Sequence, residues 1–513
     1  MTSEHFDVLI VGAGISGIGA GYHVQTSCPA RTYAILEARD GIGGTWDLFR
    51  YPGIRSDSDM YTLGYSFKPW RSPKAIADGR SILEYLRETT EEHGIDRRIR
   101  FRHRVKRASW STEDARWTLD VERGDHGPTA RLSCNFLFMG TGYYDYAAGY
   151  APSFPGIDRF RGRIVHPQKW TDDVEYEGKR VVVIGSGATA VTLVPELTKR
   201  AAHVTMLQRS PTYIISMPAE DRIANRLRRH LPTRIAYGVT RWKNVLLGMW
   251  FYRFCRLNPT RARALIAKWL EAELGPDGDA VTHFTPRYDP WDQRMCLVPD
   301  GDLFRAMREG RASVVTDEID AFTETGLTLR SGRALPADLV VTATGLNLLI
   351  FGGIEVAVDG VRVDFARTFN YKGMMFSDVP NLALAFGYTN ASWTLKAELI
   401  ARYVCRLLNH MEKTGTRQCT PRLRNRRVEE APFIDLTSGY VRRAIHMFPK
   451  QGSAVPWRVH QNYALDLLML RWGRIHDGVM EFSNHALPVG RDERVARVIA
   501  SGESEVRSAN SRR

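Results

Sequence analysis

Twice along this chain a hydrophobic strand runs into a glycine turn, then a helix, then a second strand, over residues 6–37 and 180–208. Few patterns restrict a fold as tightly, because each glycine answers a separate steric demand. In the first copy Asp7-Val8-Leu9-Ile10-Val11 precedes Gly12-Ala13-Gly14-Ile15-Ser16-Gly17. Gly12 permits the tight turn, Gly14 lets the backbone approach a pyrophosphate, and Gly17 lets helix pack on strand. The helix N-terminus then offers free N–H groups to the phosphates. In the second copy Val181-Val182-Val183-Ile184 leads into Gly185-Ser186-Gly187-Ala188-Thr189-Ala190. Ala190 in the last position still allows close packing. The predicted fold class is α/β: two Rossmann-like dinucleotide-binding domains with a helical insertion.

The two copies differ where the second strand ends. Tyr33-Ala34-Ile35-Leu36 ends in Glu37, and a carboxylate there binds a ribose diol. Val204-Thr205-Met206-Leu207 ends in Gln208-Arg209-Ser210, with no acid. A carboxylate would repel a 2′-phosphate, whereas a guanidinium binds it bidentately and Ser210 can donate beside it. The first site therefore predicts FAD and the second NADPH. The extreme N-terminal place of the first unit supports FAD there. So does Gly41-Ile42-Gly43-Gly44-Thr45-Trp46, which can lie along a diphosphate.

Phe136–Met139, ending in Gly140-Thr141-Gly142, and Leu339–Thr342, ending in Ala343-Thr344-Gly345, read as closing strands of the two units. A strand over Asn381–Phe386 and a helix from about Ser392 to Met411 read as a return to the first. The predicted organisation is an FAD-binding domain over 1–145 and a linker over 146–175. The NADPH-binding domain takes 176–214 and 286–346, around a basic helical insertion at 215–285. The FAD-binding domain resumes over 347–490, and a polar, Ser/Arg-rich tail predicted to be disordered fills 491–513.

The net charge of +14 is concentrated in that insertion. Residues 222–268 hold twelve Lys and Arg and no Asp or Glu, with apolar residues at near-helical spacing. A solvated helical face is the plain reading. Attraction to a membrane surface or to an anionic cofactor is the functional one. Nothing points to reading of bases, so no nucleic-acid partner is expected. No apolar run approaches the roughly 18 residues of a membrane span, and no basic leader precedes the first strand. A cytoplasmic protein is expected, with peripheral membrane contact left open. None of the six cysteines forms a CxxC or CxxxxC pair, which argues against a redox disulfide or a zinc site. No metal is expected.

Between the units lies Phe160-Arg161-Gly162-Arg163-Ile164-Val165-His166-Pro167-Gln168-Lys169-Trp170. Residue chemistry alone makes it a loop with a glycine turn, a titratable ring and an anchoring aromatic. It resembles the FxGxxxHxxxW fingerprint of class B flavoprotein monooxygenases, the family that includes Baeyer–Villiger monooxygenases. Phe160, Gly162, His166 and Trp170 match; Thr171 stands where the family usually has Pro or Asp. Gly43-Gly44-Thr45-Trp46, Tyr51-Pro52-Gly53 and Asp57 resemble the longer Baeyer–Villiger signature. From about His5 to Val489 the chain is similar to the ethionamide-activating branch, most closely over Thr45–Asp57 and Tyr288–Arg294.

The resemblance implies residue roles. Ser16, Glu37, Thr45, Trp46, Asp47, Leu48, Asp57 and Val105 fall where the family contacts FAD. Arg55, Ser56 and Asp57 fall where the nicotinamide approaches the flavin. Ser186, Gly187, Ala188, Thr189, Arg209 and Ser210 fall where the rest of NADPH binds. Arg294 falls at the active-site arginine, a cation that cannot lose its proton, with Asp57 suited to hold it. The blander alternative for Arg294 is an ion pair with Asp289 or Asp292. The activity implied is NADPH- and O2-dependent insertion of oxygen beside a ketone carbonyl, with sulfoxidation of thioethers. The alternatives are a flavin-containing N- or S-monooxygenase and a non-catalytic redox sensor. The physiological substrate and the oligomeric state are not legible.

Overall fold

The computed structural model describes residues 4–124, 127–275, 279–424 and 428–484. The expected tail at 491–513 lies outside them.

Two sheets organise the chain. In the first, Glu4–Val11 pairs in parallel with Tyr33–Leu36 on one side and Thr129–Met139 on the other. Val8, Leu9 and Ile10 are fully buried, as central parallel strands with covered faces require. An antiparallel wing, Arg116–Arg123 and His103–Ser111, extends this sheet. Leu382–Leu384 returns from far along the chain to pair in parallel with Thr129–Met139. The helix that follows, Trp393–Thr414, packs on the first helix, Ile15–Ser27. It matches the predicted return helix and runs three residues further.

The second sheet is wholly parallel, in the order Ala312–Thr316, His203–Gln208, Arg180–Ile184, Leu339–Thr342, Arg163–Val165. The mixed α/β fold with Rossmann-like units is thus as predicted. One local expectation fails. Part of the segment read as a loop, Arg163–Val165, is an edge strand on Leu339–Val341. Three residues are too few to show a period, and only the partner strand supplies their hydrogen bonds.

The insertion is helical: Arg222–His230, Thr233–Leu257, Pro259–Leu274 and Ala280–Phe284. Its cations do not form one uniform basic face. Arg228 donates to the Arg71 and Ser72 carbonyls, and Lys243 pairs with Asp221 at 2.5 Å. Arg256 and Arg263 also have carboxylate partners, described below. Arg241 turns fully inward. It donates to the Tyr61 and Gly64 carbonyls (2.8 and 2.7 Å) and to Glu398 Oε2 (3.1 Å). Glu398 also accepts from Ser66 N and Oγ and contacts His23 Nε2.

This cluster ties the insertion to the first and return helices. Burial pushes the Glu398 carboxyl up, but the His23 contact and the Arg241 charge outweigh it and hold it at about 2. Its contribution to stability is complete above its ordinary value of 4.5 and is lost as pH falls toward about 2. Glu398→Ala strands a buried guanidinium. It is expected to cost about 3–5 kcal/mol, read from the denaturant midpoint. A loss below about 1 kcal/mol would show that the cluster does not secure the insertion.

Candidate functional site

Both glycine turns are built as their sequences demand. Gly12 has φ +101, and a Cβ there would lie 2.7 Å from the Gly140 carbonyl oxygen. That contact joins the first turn to the closing strand. Gly185 has φ +133, and its Cβ would lie 2.3 Å from the Ala343 carbonyl oxygen. A Cβ on Gly17 would collide with the Gly12 carbonyl, which accounts for the third glycine. Ala190, at the corresponding place in the second unit, is fully buried.

The helices that follow suit an anion. Gly14 and Gly187 are their N-caps, without a side-chain cap bond, and neither first turn holds an acid. Among the described residues their terminal N–H groups have no side-chain cap, and the space over Gly187 is open. The Gly43-Gly44 turn docks on the first site through Gly43 N donating to the Ala13 carbonyl at 2.9 Å.

Glu37 is buried at the end of its strand. Its oxygens accept from Ala13 N (2.8 Å) and Arg39 N (2.9 Å), which aims the carboxylate along the turn. Each oxygen retains acceptor capacity for a ribose hydroxyl. Ser16 Oγ accepts from Trp393 Nε1 at 2.7 Å, binding the return helix to the same turn. Asp47 pairs with Arg39 at 2.7 Å, within the short helix Thr45–Leu48 that also carries Trp46. Val105 is buried on the strand whose first residue, His103, donates its N–H to the Glu37 carbonyl.

In the second unit Arg209 and Ser210 are exposed. Arg209 has no ionic partner among the described residues. Ser186 Oγ meets the Ser210 carbonyl at 3.2 Å and Thr212 Oγ1 at 2.8 Å, holding the loop that presents Arg209. Thr189 faces the segment Tyr51–Gly53, where a Cβ on Gly53 would meet the Glu196 side chain and the Thr192 carbonyl.

The two units meet at Asp57 and Arg294. One guanidinium nitrogen, Nη2, lies 3.0 and 2.9 Å from the two Asp57 oxygens. About a third of the Arg294 side chain remains open to the cleft. The Asp57 charge raises the arginine further above its already high range, against the opposing effect of burial.

The alternative partners are taken. Asp289 pairs with Arg263 at 2.5 Å and Asp292 with Arg256 at 2.6 Å. Both arginines belong to the insertion, which thereby clamps the loop carrying Arg294. Within that loop Trp291 holds φ +74, a strained value for a bulky residue and one that neighbouring contacts must impose. Ser56 is buried. Arg55 is bidentate to Asp302 at 2.5 and 3.3 Å, a pair the sequence did not announce.

Beside Arg294 lies a small cavity walled by Tyr143, Phe386, Tyr388, Trp393, Leu436 and Tyr440. Tyr143 stacks on Trp393, with centroids 5.2 Å apart. These residues are absent from the sequence-based site. Tyr143 follows the Gly140-Thr141-Gly142 turn directly, a signal that could have placed it. The others come from the return segment and carry no local motif.

His166 sits at the junction of linker and second sheet. Its Nδ1 accepts from Gln168 N and its Nε2 faces the Gly345 carbonyl, both at 3.2 Å, so Nε2 carries the proton. Burial lowers its pKa and keeps the ring neutral. A Cβ on Gly149 would overlap the ring. His166 thus bridges the two connections between the units. His166→Ala is expected to lower the yield of product per NADPH consumed by loosening that junction. Unchanged coupling would leave the ring a local structural role only.

The described residues contain no cluster of metal-ligating side chains, and all six cysteines are buried free thiols. No helix among the described residues is long and apolar enough to cross a membrane.

These features define a protein of two Rossmann-like units joined at an arginine–carboxylate pair. The chain matches the family described as flavin-binding monooxygenase-like over residues 66–243 and an NAD(P)-binding Rossmann-like domain over residues 10–72. It is 54% identical to the FAD-containing monooxygenase EthA of Mycobacterium tuberculosis (strain ATCC 25618 / H37Rv), over 95% of this chain and 100% of that protein. It is 49% identical to the putative FAD-containing monooxygenase MymA of the same strain, over 94% of this chain and 98% of that protein. Among solved structures, an oxidized steroid monooxygenase bound to NADP superposes with a TM-score of 0.75, at 24% identity, covering 94% of this chain and 100% of that one. The chain belongs to the family of FAD-containing monooxygenases.

Proposed function

We propose that this protein is an NADPH- and O2-dependent Baeyer–Villiger monooxygenase, converting a ketone, O2, NADPH and a proton into an ester or lactone, NADP+ and water. It would also oxidise thioethers to sulfoxides. The observation that carries this reading is the Arg294–Asp57 pair, set at the meeting of two nucleotide sites and open to an aromatic cavity. FAD fits the first unit, where Glu37 takes the ribose and the first helix the diphosphate. NADPH fits the second, where Arg209 and Ser210 take the 2′-phosphate.

When bound, the flavin supplies two-electron activation of dioxygen, and NADPH supplies the hydride. Arg294 holds a fixed positive charge at the cavity wall and would stabilise negative charge developing there. Asp57 fixes the guanidinium in orientation. The aromatic walls around it leave apolar contact for the carbon skeleton of a substrate. The loss of local anion stabilisation would instead favour electrophilic oxygen transfer to sulfur.

The test is a product assay. The purified yellow protein is supplied with NADPH, O2 and a panel of linear, cyclic and aryl ketones and thioethers. Ester or lactone from at least one ketone is expected. Sulfoxides without any ester would overturn the ketone assignment and keep only S-oxygenation.

A further inference from the structure

We propose that the outer face of the helix Thr233–Leu257 docks on an anionic lipid bilayer. Ile235, Val239, Trp242, Leu246 and Trp250 follow one another at steps of three or four residues, so they form one stripe. The stripe continues through Leu257. Each of these side chains is exposed, from 42% at Trp242 to 65% at Leu257. The inward arc of the helix instead buries Ala236, Tyr237, Thr240, Arg241 and Val245. Trp242 touches Tyr463, with ring centroids 5.6 Å apart, and the short helix that starts there exposes Leu465 and is followed by exposed Leu468. A contiguous apolar surface of this kind marks an interaction site on a water-exposed protein.

Charge selects the occupant. Arg222, Arg226, Arg229, Arg234, Arg253, Arg261 and Lys268 are exposed and have no carboxylate partner among the described residues. Arg253 falls within the stripe itself. With no acid between residues 222 and 268, two copies meeting through this face would oppose like charges. An anionic headgroup layer pairs with those cations while the Trp and Leu side chains enter the acyl boundary. The helix is too polar to span, so the contact is peripheral.

Docking has a consequence for the site. On its inner face Val245 packs with Tyr388 and Leu395, and Tyr388 lines the cavity beside Arg294. The apolar cavity is thus one helix away from the membrane, suiting substrates that partition into lipid. The docking stands apart from the oxidation chemistry, and the two fail separately.

The experiment is co-sedimentation of the full-length holoenzyme with vesicles of phosphatidylcholine alone or of phosphatidylcholine mixed with phosphatidylglycerol. Binding is expected to the anionic vesicles and to weaken as salt is raised. A variant with Trp242→Ser, Leu246→Ser and Trp250→Ser is expected to bind them about tenfold or more weakly. Arg234→Glu with Arg253→Glu is expected to do the same. In both, turnover of a small water-soluble substrate should stay at the wild-type value, showing an intact fold. Absence of wild-type binding to anionic vesicles would overturn the proposal, as would triple-variant binding equal to wild type. So would a wild-type dimer in sedimentation equilibrium that the serine variant splits, which would assign the face to a second copy.

Discussion

Arg294→Ala is expected to leave flavin binding and NADPH-dependent flavin reduction near wild type while ester formation falls about 10²–10³-fold, the range for removing one preorganised charge stabiliser. The separation follows from position. Among the described residues the ionic partner of Arg294 is Asp57, and no hydrogen bond joins it to either glycine turn. A third of its side chain is open, so the loss leaves Asp57 partly solvated instead of stranded in the core. Absorbance of bound flavin, anaerobic reduction rate and chromatographic product yield separate the steps. Arg294→Lys keeps the charge but not the planar fork, and should retain a part of the activity. Ketone conversion near the wild-type rate in the alanine variant would remove Arg294 from the chemistry.

The second large effect is expected at the other end of the nucleotide. Arg209→Ala should raise the apparent KM for NADPH about 10- to 100-fold, the size expected for a lost charge-assisted hydrogen bond. The value for NADH should hardly change. Arg209 is exposed and has no ionic partner among the described residues, so its removal costs the fold little and isolates the proposed contact with the 2′-phosphate. Initial rates against each cofactor provide the check. Equal losses for both cofactors would mean that Arg209 acts through the shape of the loop held by Ser186.

Much of the site could be read before folding was considered. The glycine turns, Glu37 and Arg209 each express a demand met within one strand–turn–helix unit, so spacing along the chain carries them. The Arg163–Val165 strand was missed because its order comes from Leu339–Val341, far away in sequence. The basic segment was legible as helical. Its division into anchored and solvent-facing cations was not, because Arg241 chooses its direction from Glu398 and from carbonyls of another segment.

The amino-acid order by itself therefore determined the two glycine-turn units and the opposite charges that end their second strands, Glu37 and Arg209, since φ values, backbone clearance and end-of-strand charge are local properties. Only the tertiary structure decided that Arg294 answers to Asp57, 237 residues away, while its near neighbours Asp289 and Asp292 are claimed by Arg263 and Arg256. It also decided which aromatics close the cavity. Ion pairs and cavity walls are chosen by proximity after the sheets have formed, among many equally charged or apolar candidates, and no spacing rule along the chain distinguishes those candidates.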